Sequence, residues 1–381
     1  MIKILIATDS FKDCLSASEA GSFIGMGIQK ILPDVEIKLL PVADGGEGSV
    51  AILVKATKGK LMMVDVHDPL SRMINSFYGI LGDGKTAVIE MAAASGLELL
   101  EEKERNPWLT STVGTGELIK DALNKKCNKI IIGVGGSATN EAGAGMAVAL
   151  GARLLDKNGI PVFPVGGELL KVHKIDMSGF DKRITTVKFI VASDVKNLLT
   201  GPEGASLVYG PQKGADQSMA EKLDKNLVHF SGKIKEFFGK DVSAMEGAGA
   251  AGGLGAGLVA FLSAELLPGF DVIKEVIQLE EYVKWADMVV TGEGKIDNQT
   301  LYGKTPLGVA RIAKVWNKPV IAVTGNLGDY TDLKNNSEFD CFVPIADRPM
   351  NLEESVRRAP ELLVNVGERI MQLIQIGMNW K

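Results

Sequence analysis

The sequence predicts an α/β protein of two domains. One is a Rossmann/flavodoxin-like parallel-sheet domain formed by both chain ends; the other is an inserted mixed α/β domain, with an active-site cleft between them. Three observations carry this. Short apolar, β-branched runs alternate with helical patterns at both ends of the chain, the rhythm of β-α units. That rhythm breaks after Gly59, where strand patterns at Leu61–Val66, Asn75–Leu81 and Thr86–Met91 follow one another, the latter two joined as a hairpin around Asp83-Gly84. The 381 residues exceed what one core usually takes. The expected domains are 1–58 with 285–381, and 59–284 between them.

In chain order, Ile2–Thr8 is an apolar strand that ends in Asp9-Ser10-Phe11-Lys12. Ser16 and Glu19 form a capping box, so a helix starts there and runs to about Leu32, before Pro33. Glu36–Val42 is the next strand, ending in Ala43-Asp44-Gly45-Gly46-Glu47-Gly48. Asp68–Arg72 turns between the first two strands of the middle region. A helix over Thr115–Asn124 is entered through the small polar loop Ser111–Gly116. Ile130–Val134 reads as a buried parallel strand. Gly135, Gly136, Ser137, Thr139 and Asn140 follow it, and a helical pattern begins near Asn140 and runs through Met146, Val148 and Leu150. A helix start presents unpaired N–H groups and a partial positive charge, so this stretch is expected to hold a phosphorylated ligand.

Thr186–Ala192 is a further strand and ends in Ser193-Asp194. Gly210-Pro-Gln-Lys213-Gly-Ala215 places a lysine among backbone donors. Met219–Phe238 is a long amphipathic helix. The uncharged run Gly247–Ala264 approaches the length of a membrane span. Its first half is glycine and alanine, which favours a glycine loop followed by a buried helix. Then β-α units return. Asp287–Thr291 leads into Gly292-Glu293-Gly294-Lys295-Ile296-Asp297, Thr305 caps a helix with Pro306 at its first position, and Val320–Thr324 and Phe342–Ile345 are strands. A closing helix from Asn351 contains Pro360, which should kink or divide it.

Composition narrows the function. Hydrophobic content of 46% and charged content of 23% fit an ordinary globular protein. A net charge of −5 argues against nucleic acid or an anionic membrane as partner. Cys14, Cys127 and Cys341 are far apart and form no C-x-x-C pair, which implies free thiols, a cytoplasmic setting and no structural zinc. The N-terminal stretch acquires charge too early for a signal peptide. His67, His173 and His229 are scattered, which argues against histidine catalysis or a histidine metal cluster.

Gly133-Val-Gly135-Gly136-Ser137-Ala138 also fits a dinucleotide fingerprint, with Asp156 about 20 residues on as the ribose acid. An NAD(P)-dependent oxidoreductase of a small hydroxy acid, using Gly133–Asp156, therefore stands as the alternative. A non-catalytic nucleotide-sensing module is a third class. Against both, several strand ends share one chemistry. Glycines let a polyphosphate rest on backbone, acids hold magnesium, and lysines offset transferring charge; together these serve phosphoryl transfer. A dehydrogenase leaves the Asp44 and Glu293 loops unexplained.

The same blocks resemble the type-1 glycerate kinase family over essentially the whole chain. They include Asp9-Ser-Phe-Lys12, Ala43-Asp-Gly-Gly-Glu-Gly48, Glu90-Met-Ala-Ala-Ala-Ser-Gly96, Gly114-Thr-Gly-Glu117, Gly135-Gly-Ser-Ala-Thr-Asn140, Gly210-Pro-Gln-Lys-Gly-Ala215, Gly292-Glu-Gly294 and Asp297 with Gln299-Thr300. The resemblance implies ATP-dependent phosphorylation of D-glycerate with Mg²⁺, 2-phosphoglycerate being favoured as product. The chain departs from the family pattern at Asp13, at Glu141-Ala142, where Asp-Gly is usual, and at Lys196.

On this basis Asp194 is the expected general base, with Lys12 and Lys213 as catalytic cations. Gly135, Gly136, Ser137, Asn140, Gly292 and Gly294 are expected to hold ATP. Asp9, Ser10, Asp44, Gly45, Gly46 and Arg72 are expected to hold the acid. Asp44, Glu293 and Asp297 are the candidate magnesium ligands, and a homodimer is compatible with the sequence.

Overall fold

The computed structural model describes residues 1–11, 14–43, 45–46, 48–297, 305–329, 331 and 338–378. Of the candidate residues, Lys12 and Asp44 lie outside the described ones. The chain divides into two compact units, Met1–Asp44 with Phe270–Lys381, and Gly45–Gly269.

The first unit opens with β1 (Lys3–Thr8), α1 (Ala17–Ile31) and β2 (Glu36–Leu39). The capping box forms as expected: Ser16 Oγ accepts from the Glu19 N–H, and the Glu19 carboxylate accepts from the Ser16 N–H.

The second unit continues with α2 (Ser49–Thr57), β3 (Lys60–His67), β4 (Met73–Ile80), β5 (Thr86–Glu90), α3 (Ala92–Ser95), α4 (Val113–Asn124), β6 (Lys129–Gly133) and α5 (Ala144–Ala149). After these come β7 (Arg153–Leu155), β8 (Lys174–Asp176), β9 (Lys188–Ala192), α6 (Ala205–Tyr209), α7 (Gln217–Phe238), α8 (Ala250–Leu262) and β10 (Glu265–Leu267). The chain returns to the first unit with α9 (Gly269–Val276), α10 (Leu279–Trp285), β11 (Met288–Ile296), α11 (Thr305–Val315), β12 (Val320–Leu327), β13 (Cys341–Pro344) and α12 (Leu352–Met378).

In the first unit five strands pair in the order β13-β12-β11-β1-β2, all parallel. Counted within the unit this is the flavodoxin-like order, and it reverses direction between β1 and β11. Ile4 and Ile6 of β1, with Met288 and Val290 of β11, pack on Ile24 and Ile28 of α1 and on Leu362, Leu363 and Val366 of α12. The apolar runs read from the sequence are thus buried against helices, as parallel strands require. Pro360 does not divide α12. A proline there has no N–H for the carbonyl of Val356, four residues back. The Cys14 thiol donates to that carbonyl instead, at 3.5 Å.

In the second unit the order is β10-β9-β6-β5-β4-β3. β10, β9, β6 and β5 are parallel, while β4 and β3 are antiparallel at one edge. The hairpin turn forms where Asp83-Gly84 predicts it. Asp83 accepts from the N–H of Lys85 and of Thr86, each at 2.9 Å, and Gly84 takes φ +67°. The run Gly247–Ala264 is a glycine turn and a helix buried within this unit, α8. No helix among the described residues is long and apolar enough to cross a membrane.

Unit boundaries fall at 44/45 and 269/270, against 58/59 and 284/285 expected from the change of strand type. The reason is packing. α2 lies on β4 and β5, whereas α10 lies on α11 and β1. A helix joins the unit whose apolar surface it covers, which its own sequence does not record.

Candidate active site

Apart from Arg72, the described candidate residues gather in two groups, one in each unit. In the second unit three neighbouring strands end in register, Glu90 beside Gly133 beside Ala192. The loop after β6 therefore stands between the loop after β5 and the one after β9. Gly45 and Gly46 lie over the same strand ends. A side chain on Gly133 would collide with the Gly45 carbonyl, and one on Gly45 would come within 3.0 Å of the Ala192 Cβ. This brings Gly45, Gly46, Gly135, Gly136, Ser137, Asn140, Lys213 and Asp194 into one region.

The helix expected to start near Asn140 does not. Residues 134–143 are a loop, and α5 begins only at Ala144. The first-turn donors expected to meet a phosphate are occupied by the chain itself. Glu141, 1% exposed, accepts from the Gly145 N–H and from the Thr112 hydroxyl, each at 2.7 Å. The N–H groups of Gly143 and Ala144 bear on the same carboxylate. An internal carboxylate has taken the place assigned to the ligand, as an acid at a helix N-terminus does. The dinucleotide alternative fails for the same reason, since its fingerprint needs the helix to open on the glycine turn. Asp156, its ribose acid, closes a tight turn by accepting from the N–H of Asn158 and of Ile160.

What remains open is the backbone turn before the loop. Gly135 and Gly136 are exposed, and Gly136 sits at φ +71°, a conformation glycine adopts without strain. Among the described residues no hydrogen bond is donated by the N–H of Gly135, Gly136 or Ser137. Three successive open donors at a strand end form an anion-binding concavity.

The side chains around this turn point inward. Lys213 is 1% exposed, and its Nζ donates to Ser137 Oγ at 2.7 Å and to the Thr139 carbonyl at 2.8 Å. Asn140 is buried and donates to Ser206 Oγ at 2.9 Å. Beneath them, just after its first residue, α8 holds three residues in left-handed geometry, Ala251, Gly252 and Gly253. Gly252 lies where any side chain would strike the Thr139 carbonyl, and its own carbonyl accepts from the Ala142 N–H at 3.1 Å. Among the described residues Thr139 Oγ1 and Asn140 Oδ1 are buried without a hydrogen-bond partner. Ser137 and Asn140, expected to meet ATP with their side chains, hold the loop from behind instead.

Burial pushes the Lys213 ammonium down to about 7, with the charge of Glu141 opposing. It pushes the Glu141 carboxyl up to about 7, against the pull of Thr112 and the three backbone donors. Glu141→Gln should therefore change the pH dependence of stability. The folded carboxyl titrates near 7, against about 4.5 when exposed. Its contribution to stability is fully present below about 4.5 and is lost as pH rises through about 7. Gln cannot titrate, so the variant should gain on the parent by up to about 3 kcal/mol across that range, then level off. Urea unfolding of both proteins from about pH 4.5 to about pH 8 measures this, and a constant difference would refute it.

Asp194 stands two residues beyond β9, is exposed, and accepts from the Gly269 N–H through Oδ1 at 3.0 Å. Arg72 is engaged by acids: its guanidinium pairs with Asp68 and with Glu104, and also donates to the Leu99 carbonyl. An anion at Arg72 would have to compete with two carboxylates, so the structure offers no support for its expected place in acid binding.

The other group lies in the first unit at the reversal of strand order. The Asp9 N–H donates to the Gly292 carbonyl at 2.9 Å, and the Asp9 carboxylate accepts from the Ser10 N–H at 2.6 Å. Gly292, Glu293 and Gly294 lie within β11, and Asp297 follows it. Lys295 pairs with Asp297 at 2.7 Å. Among the described residues no three or more His, Cys, Asp or Glu are grouped to hold a metal ion.

Sequence reasoning missed Glu141 as a structural acid, and Thr112 as its partner. The one available signal was an acid standing just before the small-residue run Ala142–Gly145, where a helix could begin.

Comparison with known proteins is consistent across the chain. The profile of the glycerate kinase family matches residues 4–375. Glycerate kinase of Halalkalibacterium halodurans is 48% identical over 370 residues, 97% of each chain. Glycerate 2-kinase of Escherichia coli K12 is 46% identical over 377 residues, 99% of each chain. A crystal structure of a candidate glycerate kinase 2 from Salmonella typhimurium LT2 superimposes with a TM-score of 0.90 at 44% identity, covering 99% of both chains. An open backbone turn at parallel strand ends, in a chain matched end to end by such relatives, leads to one conclusion: this protein is a kinase and belongs to the glycerate kinase family.

Proposed function

We propose that this chain transfers the γ-phosphoryl group of ATP to D-glycerate with Mg²⁺, giving 2-phosphoglycerate, in the cytoplasm. The observation that carries the proposal is the exposed Gly135-Gly136 turn with its three open N–H groups. Such a turn suits phosphate oxygens, which need donors and close backbone approach. The name of the E. coli relative favours the 2-phosphate product.

In this scheme Gly135, Gly136 and Ser137 hold nucleotide phosphates through backbone N–H groups. Lys213 supports that charge from behind the turn, through Ser137. Asp194, on the loop after the adjacent strand, accepts the proton of the attacking hydroxyl. Asp9, Ser10, Gly45 and Gly46 contribute to the site for the acid, and Gly292 and Gly294 give backbone access beside β1. Lys12 and Asp44 keep the roles expected from the sequence.

For the metal, Glu293 and Asp297 fit in a limited way. They alternate with Lys295 along one face of the strand. One or two carboxylates plus substrate phosphates is how magnesium is usually held in kinases. When bound, the ion would neutralise phosphate charge; the protein's own groups orient the acid and take its proton.

A coupled assay for ADP release over a panel of small hydroxy acids tests the proposal. Release should require both D-glycerate and Mg²⁺, and the isolated product should be 2-phosphoglycerate. ATP turnover indifferent to D-glycerate would reject the substrate, and 3-phosphoglycerate would reject the regiochemistry.

A further inference from the structure

α11 joins β11 to β12, which are parallel neighbours, so it runs back along the sheet and begins at the carboxyl ends of the strands. It packs on β1, β11 and β12. Its first turn therefore stands where the strand order reverses, the general position of ligands in open parallel sheets. That turn is Thr305-Pro306-Leu307-Gly308 and contains no acid. Pro306 has no N–H and that of Gly308 stands where the first intrahelical bond closes, which leaves Thr305 and Leu307 as the first-turn donors, and the eleven-residue helix directs its dipole to the same end.

A second observation is independent of the helix. Thr305 is 1% exposed, and its Oγ1 is buried without a hydrogen-bond partner among the described residues. The Cα–Cβ bond of a helical residue tilts toward the N-terminus, which sets this hydroxyl at the same end as the first-turn N–H groups. Leu307, Val309, Ala310 and Ala313 are fully buried, and the Phe270 ring fills the space beside Gly308. A hydroxyl left unpaired in such surroundings destabilises the unliganded fold. An oxyanion at the first turn would supply the missing partner.

We propose that the N-terminal turn of α11, with the Thr305 hydroxyl, is a subsite for one oxyanion, a carboxylate or phosphate oxygen of the reactants. The inference rests on the kinase function proposed above and adds a recognition element to it. Asp9, Glu293 and the Lys295–Asp297 pair stand on the same edge of the sheet. The acids among them repel a free anion, so the subsite should favour an anion that arrives with a cation or is tethered to a larger ligand.

Thr305→Val, nearly identical in shape, tests this on the full-length protein. Binding of D-glycerate, of a non-hydrolysable ATP analogue with Mg²⁺, and of inorganic phosphate is measured by calorimetry. Unfolding is measured without ligand. The subsite predicts opposite effects: the unliganded variant is more stable than the parent, while affinity for D-glycerate or for the nucleotide falls about tenfold. Thr305→Ser restores the affinity. Loss confined to D-glycerate identifies the anion as its carboxylate; loss confined to nucleotide or inorganic phosphate identifies it as phosphate. Parental affinity of the Val variant for all three probes overturns the subsite. So does an equal loss in the Val and Ser variants, which would mark a packing defect. If the parent bound neither D-glycerate nor nucleotide, the kinase proposal would fail, and the inorganic phosphate measurement would still decide on the subsite.

Discussion

Replacing Asp194 with Asn is expected to lower kcat by about 10²- to 10⁴-fold, with little change in the KM for ATP or in thermal stability. The substitution separates two properties of the side chain. Oδ1 accepts from the Gly269 N–H at 3.0 Å, and an amide oxygen can keep that bond. The loop after β9 should therefore stay in place. What the amide cannot do is accept the proton of a hydroxyl that is becoming a nucleophile. The loss corresponds to about 3–5 kcal/mol of barrier, at 1.36 kcal/mol per tenfold. Steady-state kinetics of the purified variant, together with its melting temperature, measure both effects. Near-normal turnover in a folded Asp194→Asn protein would reject the general-base role and leave the kinase assignment intact.

Lys213→Met is expected to reduce both stability and nucleotide use. The parent ammonium is buried and bonds Ser137 Oγ and the Thr139 carbonyl. Methionine fills a similar volume but donates nothing, so both oxygens lose a buried partner, at about 1–3 kcal/mol each. Some of that is offset because a buried ammonium, already pushed down to about 7, no longer has to be accommodated. A net loss of roughly 1–4 kcal/mol should appear in urea unfolding. The turn resting on these bonds then loses its fixed geometry, and a misplacement of about 1 Å in a phosphate site costs on the order of 10² in kcat/KM. Were kcat/KM for ATP unchanged in a folded variant, Lys213 would be only a packing residue.

Much of the fold was legible because it is local. The apolar runs of β1, β6 and β9, the Ser16–Glu19 capping box and the Asp83-Gly84 turn each depend on a few neighbouring residues, and each formed as expected. The glycine turn after β6 was visible too, because exposed glycines at a strand end have few other uses. The error lay one step further on, at Asn140. Residues 137–140 carry small polar side chains that suit a helix cap, yet they are held by Lys213, Ser206 and α8. Those partners are distant in sequence, and no helical periodicity reports them. Likewise Arg72 looked available to an anion until Asp68 and Glu104 were found on it.

The alternation of strands and helices, the glycine turns at strand ends, and the family to which these blocks are similar were all legible in the residues alone. All of these follow from residue type and short spacing. Packing established that Glu141 fills the start of α5, that Lys213 is buried beneath the turn, and that the Thr305 hydroxyl has no partner among the described residues. Each depends on which distant groups share a desolvated space. Burial sets the charge a side chain can carry and the hydrogen bonds it must find, and burial belongs to the packed chain.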